Sequence, residues 1–349
     1  MQYYSTNRIS PDVDLREAVL SGLPSDNGLY MPKYFPLLSP DLISNLDQYS
    51  ISDIGFMISR ALFDGYIPDN DLEDLISKAI NFPAPVHSLS ENTHILELFH
   101  GPSLAFKDFG ARYMAQLMGY FNRGEDKELL ILVATSGDTG GAVAAGFAGV
   151  EGIKVVILYP SGKVSPLQEK QLTTHGQNIQ AIEVDGTFDD CQDLVKAAFL
   201  DDTLQGQLRL TSANSINIAR LIPQSFYYFE AYKQLRNKER PVYFSIPSGN
   251  FGNLTAGIFA KRMGLPIAGF LAATNVNDVV PTYLKSGIYT PKPSFRTISN
   301  AMDVGNPSNF RRMEDLYCST WNNMKQDIHG FSFTDDQTEG EMHAIYAAH

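Results

Sequence analysis

The sequence predicts an α/β protein with a helical N-terminal region, and three observations lead to this fold class. Apolar runs rich in β-branched residues recur after residue 85, which is typical of buried parallel strands. Amphipathic helical patterns separate these runs, so strand and helix alternate along the chain. Before residue 85 only helical patterns occur. Five runs are predicted as strands: 129–134, 154–159, 178–184, 241–246 and 267–273.

The first 85 residues contain four helical patterns, each with start and stop signals. Serine followed by proline opens the first two, as expected because proline is favoured in the first helical turn. Pro83 and Pro85 interrupt any further helix, so we place a boundary there. The region has no cluster of titratable side chains that resembles a site. The four patterns span residues 10–22, 39–46, 52–63 and 71–80.

The composition argues against two kinds of partner. The 349-residue chain has a net charge of -12 and a pI near 5.0, so it would gain little from binding nucleic acid or an anionic membrane. The N-terminus lacks a basic segment followed by an apolar one, and no apolar run approaches the roughly 18 residues of a membrane span. We therefore expect a soluble, cytoplasmic globular protein.

Cysteine and histidine spacing predicts neither disulfides nor a metal site. Cys191 and Cys318 are far apart and form no CxxC pair, which fits a reduced compartment and ordinary packing. The seven histidines show no HExxH or other metal-binding spacing. We therefore predict no catalytic metal.

Lys107 is the residue best suited to covalent chemistry. It lies between a strand-like run at residues 95–99 and an amphipathic helical pattern that continues to residue 121. Apolar neighbours from Leu104 to Phe109 would hinder hydration of its ammonium group and favour the neutral amine, which attacks a carbonyl to form a Schiff base. The alternative is a lysine whose stem packs on apolar surface while its head reaches water. This stretch alone leaves both open.

A first polar loop follows the predicted strand at residues 129–134 and precedes a helical pattern. It combines Ser136, Asp138 and Thr139 with three glycines. Backbone N–H groups and the positive dipole end at a helix N-terminus attract anions. Because Asp138 would repel a phosphate dianion, a smaller anion such as an α-carboxylate is favoured. A tight turn with an Asp or Thr cap explains the same residues.

A second loop, residues 247–253, follows the predicted strand at 241–246. It lacks the lysine of a P-loop and the third glycine of a dinucleotide fingerprint, so no nucleotide site is indicated. Gly249 and Gly252 allow close backbone approach, and Asn250 and Asn253 can donate from their amides. With the dipole of the following helix, these groups suit a cofactor that carries one phosphate. A plain glycine turn is the alternative.

Lys163 and Arg220 are candidates for contacts to a second anion, carried by the substrate. Both lie in segments dense in small polar residues, 159–170 and 212–220. A solvated surface role explains either residue equally well. His100 could orient a group beside Lys107, although a structural role explains it too.

Together, a desolvated lysine, an amide-lined phosphate loop and a second anion loop in one α/β body point to lysine-bound pyridoxal phosphate. Seven stretches, in this order, closely resemble the bacterial threonine synthases. The resemblance covers nearly the whole chain. The stretches are residues 97–109, 134–140, 161–170, 212–220, 247–253, 272–278 and 299–304.

The resemblance implies a fold-type II enzyme, similar to the β subunit of tryptophan synthase, that uses pyridoxal 5'-phosphate. The implied reaction converts O-phosphohomoserine and water to threonine and phosphate, with Lys107 as the Schiff-base lysine and as the group that moves protons at Cα and Cβ. Ser136, Asp138 and Thr139 match the loop facing the substrate carboxylate and cofactor ring. The cofactor-phosphate loop matches Gly249, Asn250, Phe251, Gly252 and Asn253.

The proline pair and the positions of the two polar loops also suggest a domain division. We expect a helical region at 1–85, a larger cofactor-binding α/β domain formed by 86–111 and 206–349, and a smaller α/β domain at 112–205. Family members continue beyond residue 349, and their hydroxyl partner for the pyridine nitrogen lies in that further part. We therefore assign no residue to that role.

Two alternatives stay open at this point. A serine or threonine dehydratase would use the same fold and cofactor for β-elimination, although the stretches at 161–170 and 299–304 favour the synthase. A cofactor-binding or regulatory protein without turnover is the second. The sequence does not predict the oligomeric state.

Overall fold

The computed structural model describes residues 1–135, 137–235 and 238–348, apart from the side chains of residues 189 and 205. The chain forms two compact units, Met1–Leu235 and Arg236–His349. This clustering does not test the three-part division suggested above, which stays a prediction.

The first unit contains short N-terminal strands and helices followed by alternating strands and helices. Its strands are β1 (Tyr3–Ser5), β2 (Tyr30–Pro32), β3 (Val86–Ser88), β4 (His94–Leu96), β5 (Leu129–Ala134), β6 (Ile153–Pro160), β7 (Ile179–Val184) and β8 (Arg209–Ser212). Its helices are α1 (Leu15–Ser21), α2 (Pro40–Ser44), α3 (Ile51–Phe63), α4 (Asp69–Ala79), α5 (Lys107–Phe121), α6 (Asp138–Phe147), α7 (Pro166–Thr173), α8 (Phe188–Leu200), α9 (Asp202–Gln207), α10 (Ile218–Leu221) and α11 (Phe226–Gln234).

The second unit has the same alternation on a smaller scale. Its strands are β9 (Val242–Pro247), β10 (Ile267–Thr274) and β11 (Ile328–Ser332). Its helices are α12 (Gly252–Arg262), α13 (Val279–Ser286), α14 (Phe310–Leu316), α15 (Trp321–Asp327) and α16 (Asp335–Ala348). All five predicted strands are confirmed, with ends that differ from the prediction by one residue at most.

The predicted N-terminal cap is confirmed for α2, whereas α3 begins at Ile51 rather than at the predicted Ser52. Ser39 accepts a hydrogen bond from the N–H of Leu42 at the start of α2, and Ser50 forms a capping box with Asp53 on α3. The prediction for α1 was wrong at its start, because Asp14 rather than Ser10 accepts from the first turn. Sequence patterns also missed β1 and β2, which pair in antiparallel fashion through three residues each.

A parallel four-stranded sheet organises the first unit. Its strand order is β7-β6-β5-β8, so the chain proceeds from β5 to one side and later returns to the other side of β5. In such sheets ligands bind at the carboxyl ends of the strands where the order reverses. The loops that follow β5, β6 and β8 all leave this edge. Sequence patterns missed β8, whose four residues include Arg209, Thr211 and Ser212.

Helix α5 is the central helix of the first unit. The sequence predicted one buried face, but the structure buries residues around most of the helix, including Asp108, Ala111, Met114 and Met118. It packs against α4, α6 and α10, which explains why so little of it faces solvent. Burial of its first turn fixes the position of Lys107.

The second unit contains a parallel three-stranded sheet in the order β11-β10-β9. Strand β10 pairs with β9 from Ile267 to Ala273 and with β11 from Phe270 to Thr274. Sequence patterns missed β11, because His329 and Gly330 interrupt its apolar character. The loop after β9 leads directly into α12.

The two cysteines are both free. Cys191 is buried and belongs to a core cluster with Leu132, Leu158 and Val195, whereas Cys318 is exposed. Within the described residues, no helix has both the length and the hydropathy to cross a membrane. The same residues form no group of three or more side chains suited to holding a metal ion.

Candidate active site

Lys107 is the first residue of α5, and its side chain is only 19% exposed. Burial lowers the pKa of this amine, and the charge of Arg220 lowers it further, while Asp138 acts in the opposite direction. The Nζ atom lies 3.5 Å from Asp138 Oδ2. The predicted desolvation of Lys107 is thus present in the structure, with one carboxylate beside the amine.

The loop before Lys107 is fixed by the buried carboxylate of Asp108. Asp108 Oδ2 accepts from the N–H of Ser103 at 2.8 Å, and Oδ1 accepts from its Oγ at 2.6 Å. A Cβ atom on Gly101 would lie 2.4 Å from Asp108 Oδ2, so glycine is required at this contact. Burial raises the pKa of Asp108, and both Ser103 hydrogen bonds oppose that rise. Sequence reasoning missed this arrangement, because nothing in the spacing of Ser103 and Asp108 indicates it.

The first polar loop lies at the start of α6. Thr135 Oγ1 accepts from the N–H groups of Gly137 and Gly140, at 3.0 and 2.9 Å, and thereby caps the helix. Asp138 is the first helical residue, and both Asp138 and Thr139 are partly buried. The structure therefore brings Asp138 next to Lys107, a contact that the sequence did not predict. Ser136, also predicted here, lies outside the described residues.

The glycines of this loop allow close packing of α7. A Cβ on Gly137 would lie 2.5 Å from the side-chain amide carbon of Gln168, and one on Gly140 would lie 2.5 Å from a methyl group of Leu172. The sequence left two explanations for these glycines, anion binding and a tight turn. The structure shows that they are also needed for the contact between α6 and α7.

Arg220, predicted as an anion contact, is buried with 3% exposure. Its guanidinium donates to the carbonyl oxygen of Ala213 at 2.8 Å, but within the described residues its Nε has no hydrogen-bond partner. Burial lowers the pKa of Arg220 to about 10, and Asp108 partly opposes this. Since a buried guanidinium without full compensation is costly, the site suits an anionic ligand.

Lys163 and His100 have less distinctive surroundings. Lys163 is exposed in the loop between β6 and α7, so its predicted contact to substrate stays a prediction. His100 Nε2 lies 2.7 Å from Glu97 Oε2. No described hydrogen bond connects His100 with Lys107.

The second polar loop lies between β9 and α12. Phe251 adopts a left-handed conformation with φ of 58°, and α12 begins at Gly252. Asn253 Nδ2 donates to the carbonyl oxygen of Pro247 at 2.8 Å, and Ser248 Oγ donates to Asn253 Oδ1 at 3.1 Å. The loop is therefore held by its own side chains around a helix N-terminus, where the first N–H groups lack intrahelical partners.

A further polar segment of the second unit supports this loop. A Cβ on Gly249 would lie 2.9 Å from both the Ala301 carbonyl oxygen and Met302 Cα. Asn250 Oδ1 accepts from the N–H of Ser308, and Asp303 Oδ1 accepts from Asn275 Nδ2 at 2.8 Å. The stretches at 272–278 and 299–304 thus stabilise the conformation of the second polar loop.

These features fit pyridoxal phosphate. A mostly buried amine with a lowered pKa suits attachment to an aldehyde, and a glycine-containing loop at the N-terminus of the 11-residue helix α12 suits a phosphate. The buried guanidinium of Arg220 offers a separate anion contact. Parallel α/β sheets with these sites define the class of fold-type II pyridoxal-phosphate-dependent enzymes.

Comparison with known proteins supports this class and narrows it. The family model described as pyridoxal-phosphate dependent enzyme matches residues 83–322, and the model for the threonine synthase N terminus matches residues 2–80. The threonine synthase of Haemophilus influenzae is 48% identical over 99% of this chain and 80% of its own length. That of Escherichia coli is 47% identical over 97% and 78%. The chain belongs to the threonine synthase family.

Solved structures agree with this assignment. The crystal structure of Escherichia coli threonine synthase has a TM-score of 0.91 at 44% identity, covering 99% of this chain and 81% of that one. A pyridoxal-phosphate-bound threonine synthase from Brucella melitensis has a TM-score of 0.92 at 36% identity, covering 97% and 79%. Maize serine racemase, at 17% identity and a TM-score of 0.59, covers 79% and 80% and shares the fold alone.

Proposed function

We propose that this chain acts as a threonine synthase, converting O-phosphohomoserine and water to L-threonine and phosphate, the last step of threonine biosynthesis. Family membership supports this activity. The structural observation that carries the proposal is the mostly buried Lys107, with its lowered pKa, beside Asp138. We further propose that the enzyme acts in the cytoplasm on this small-molecule substrate.

Two groups of residues would hold pyridoxal 5'-phosphate. The Lys107 amine would bind its aldehyde carbon, and the loop formed by Gly249, Asn250, Phe251, Gly252 and Asn253 would bind its phosphate. When bound, this cofactor supplies an electron sink that stabilises negative charge on the amino-acid carbons. The left-handed Phe251 and the start of α12 at Gly252 support the loop assignment, since the first N–H groups of a helix lack intrahelical partners and can donate to an anion.

Lys107 would carry the proton transfers. Its Nζ accepts a proton only in the neutral form, and burial favours that form by lowering the pKa of the amine. Once protonated, the ammonium is stabilised by Asp138 Oδ2 at 3.5 Å. The opposing influences of burial and of Asp138 suit a group that alternates between base and acid at Cα and Cβ.

Substrate anions would be held by the first polar loop and by basic side chains. Ser136, Asp138 and Thr139 are proposed to face the α-carboxylate, with backbone N–H groups at the start of α6 as donors. Arg220 is proposed to compensate the substrate phosphate, because its burial leaves an N–H without a partner in the described chain. Lys163, which is exposed, is proposed to add a weaker contact to the same phosphate.

A product assay tests the proposed activity. The purified chain with added pyridoxal phosphate is incubated with O-phosphohomoserine, and both phosphate and threonine are quantified; serine and threonine are tested separately for release of their oxo acids. We expect phosphate and threonine in equal amounts. Oxo-acid formation at a higher rate would favour a dehydratase instead, and cofactor binding without turnover of any substrate would favour a binding protein.

A further inference from the structure

The side chain of Gln168 connects the start of α7 with the partner of Lys107. Its Nε2 donates to Asp138 Oδ1 at 2.7 Å, and its Oε1 accepts from the N–H of Ser165 at 3.1 Å. Asp138 presents its other oxygen, Oδ2, to Lys107 at 3.5 Å. Each carboxylate oxygen of Asp138 therefore has one of these two partners.

The orientation of the Gln168 amide is determined by both of its neighbours. The N–H of Ser165 needs an acceptor, which only the amide oxygen provides, and the Asp138 carboxylate needs a donor, which only the amide nitrogen provides. If the amide were flipped, its nitrogen would face the N–H of Ser165, which is also a donor, and its oxygen would face the Asp138 carboxylate, which is also an acceptor. Gly137 adds a steric constraint, because its backbone lies against the amide carbon of Gln168. The donor is thus held toward Asp138.

We propose that Gln168 is a positioning residue that holds the Asp138 carboxylate beside Lys107 and so couples the start of α7 to the protonation state of the catalytic lysine. The proposal rests on the assignment of Lys107 as the catalytic lysine in the proposed function. Gln168 acts only through Asp138. Its described hydrogen bonds go to Ser165 and Asp138 alone.

A second contact joins α7 to the Lys107 loop. Gln171, one helical turn after Gln168, donates from Nε2 to the carbonyl oxygen of Ser103 at 3.3 Å. A displacement of the first turn of α7 would therefore act on the site at two points, Asp138 and the loop that precedes Lys107. The exposed segment that contains Lys163 leads directly into this turn, so a substrate contact there would reach the lysine through Gln168.

Within the described residues, two charged groups act on Lys107 directly, and a third acts on one of these two. Asp138 on α6 favours the protonated amine, and Arg220 on α10 favours the neutral amine. Asp108 on α5 acts on Arg220. Of these, only Asp138 has a described hydrogen bond to Gln168. A change at Gln168 should therefore alter the lysine titration through Asp138 and not through the other charges.

The titration of Lys107 tests the proposal directly. The full chain, freed of cofactor, is acetylated with trace acetic anhydride at a series of pH values, and labelling of the Lys107 peptide is measured by mass spectrometry. In Gln168→Met the side-chain volume is kept but the donor is lost. We expect the labelling midpoint to fall by about half a pH unit or more, because Asp138 no longer holds its position beside the ammonium.

Three further variants separate positioning from helix capping. Ser165→Ala removes the hydroxyl that caps α7 but keeps the Gln168 donor, so the midpoint should not change. Asp138→Asn should lower the midpoint, and adding Gln168→Met to it should cause no further change. Gln168→Glu preserves the capping-box pattern but replaces the donor by a carboxylate, and it should displace the midpoint without loss of folding.

The labelling midpoint of Lys107 is measured without turnover. A failure of this proposal can therefore be distinguished from a failure of the proposed function. In the holoenzyme, the pH dependence of the cofactor's visible absorbance provides a second readout and should change in Gln168→Met but not in Ser165→Ala. An unchanged labelling midpoint in Gln168→Met and Gln168→Glu would overturn the proposal. So would an equal change in Ser165→Ala, or a Gln168→Met effect that persists when Asp138 is already asparagine.

Discussion

Replacement of Ser103 by alanine is expected to destabilise the first unit in a pH-dependent way. The substitution removes the Oγ donor that lies 2.6 Å from Asp108 Oδ1, while the backbone N–H of residue 103 still donates to Oδ2. Asp108 is fully buried, so no water replaces the lost donor at low cost. A hydrogen bond to a charged group contributes about 1.5–3 kcal/mol, and we expect a loss of this size at pH values where Asp108 is ionised.

The pH dependence follows from the pKa of Asp108. Burial already raises this pKa in the folded state, and Ser103 opposes the rise; without its hydroxyl the pKa rises further. A folded-state pKa above the unfolded value means that the native state binds more protons, so stability decreases as pH increases through the folded pKa. The destabilisation by Ser103→Ala should therefore grow as pH rises through the folded-state pKa of Asp108.

Urea unfolding of the full chain, followed by circular dichroism between pH 5 and pH 8, measures this effect. The matched control is Ser77→Ala, because Ser77 donates a local hydrogen bond on an exposed helix face. That control should change stability by less than about 0.5 kcal/mol at every pH. A Ser103→Ala loss that is equally small, or that does not grow with rising pH, would contradict the role given to Asp108.

Further substitutions give expected outcomes at other positions. Gly110→Ala should destabilise the chain by about 1–3 kcal/mol through overpacking, because the added Cβ would lie 2.8 Å from the Arg220 carbonyl oxygen. Gly340→Ala should instead stabilise it by about 0.5–1 kcal/mol, because the added Cβ would meet open space in α16. Thermal unfolding of both variants measures the two effects. Gly252→Asp should abolish most of the thermal stabilisation caused by added pyridoxal phosphate while the apoprotein unfolds as before, and an unchanged shift would make the loop a simple turn. Lys163→Ala should slow phosphate release about fivefold, near 1 kcal/mol for an exposed contact, with the cofactor absorbance intact; an unchanged rate would remove Lys163 from the site.

The sequence predicted the strands of the fold well, because buried parallel strands leave long apolar runs. Strands β5 and β10 are of this kind, and their ends agree with the predictions to within one residue. Strand β8 is short and polar, and β11 contains a histidine and a glycine, so periodicity did not identify either one. Their strand conformation depends on pairing with β5 and β10, which sequence patterns do not contain.

The candidate site was predictable where chemistry depends on single residues, and less so where it depends on packing. The apolar neighbours of Lys107 predicted its desolvation, which the structure contains. The close contact of Gly137 with Gln168 depends on how α7 packs on α6, and no local pattern shows it. The spacing of Ser165 and Gln168 would have identified a capping box, but its connection to Asp138 requires the fold.

The attachment site of the cofactor tests the central claim most directly. The chain is loaded with pyridoxal phosphate, reduced with borohydride, digested, and mapped by mass spectrometry for the pyridoxyl group. We predict the group on the peptide that contains Lys107, and no incorporation in Lys107→Ala, because burial lowers the pKa of this amine and so favours the neutral form that the reaction needs. Recovery of the pyridoxyl group on a different lysine of the unaltered chain, or equal incorporation in Lys107→Ala, would contradict the account.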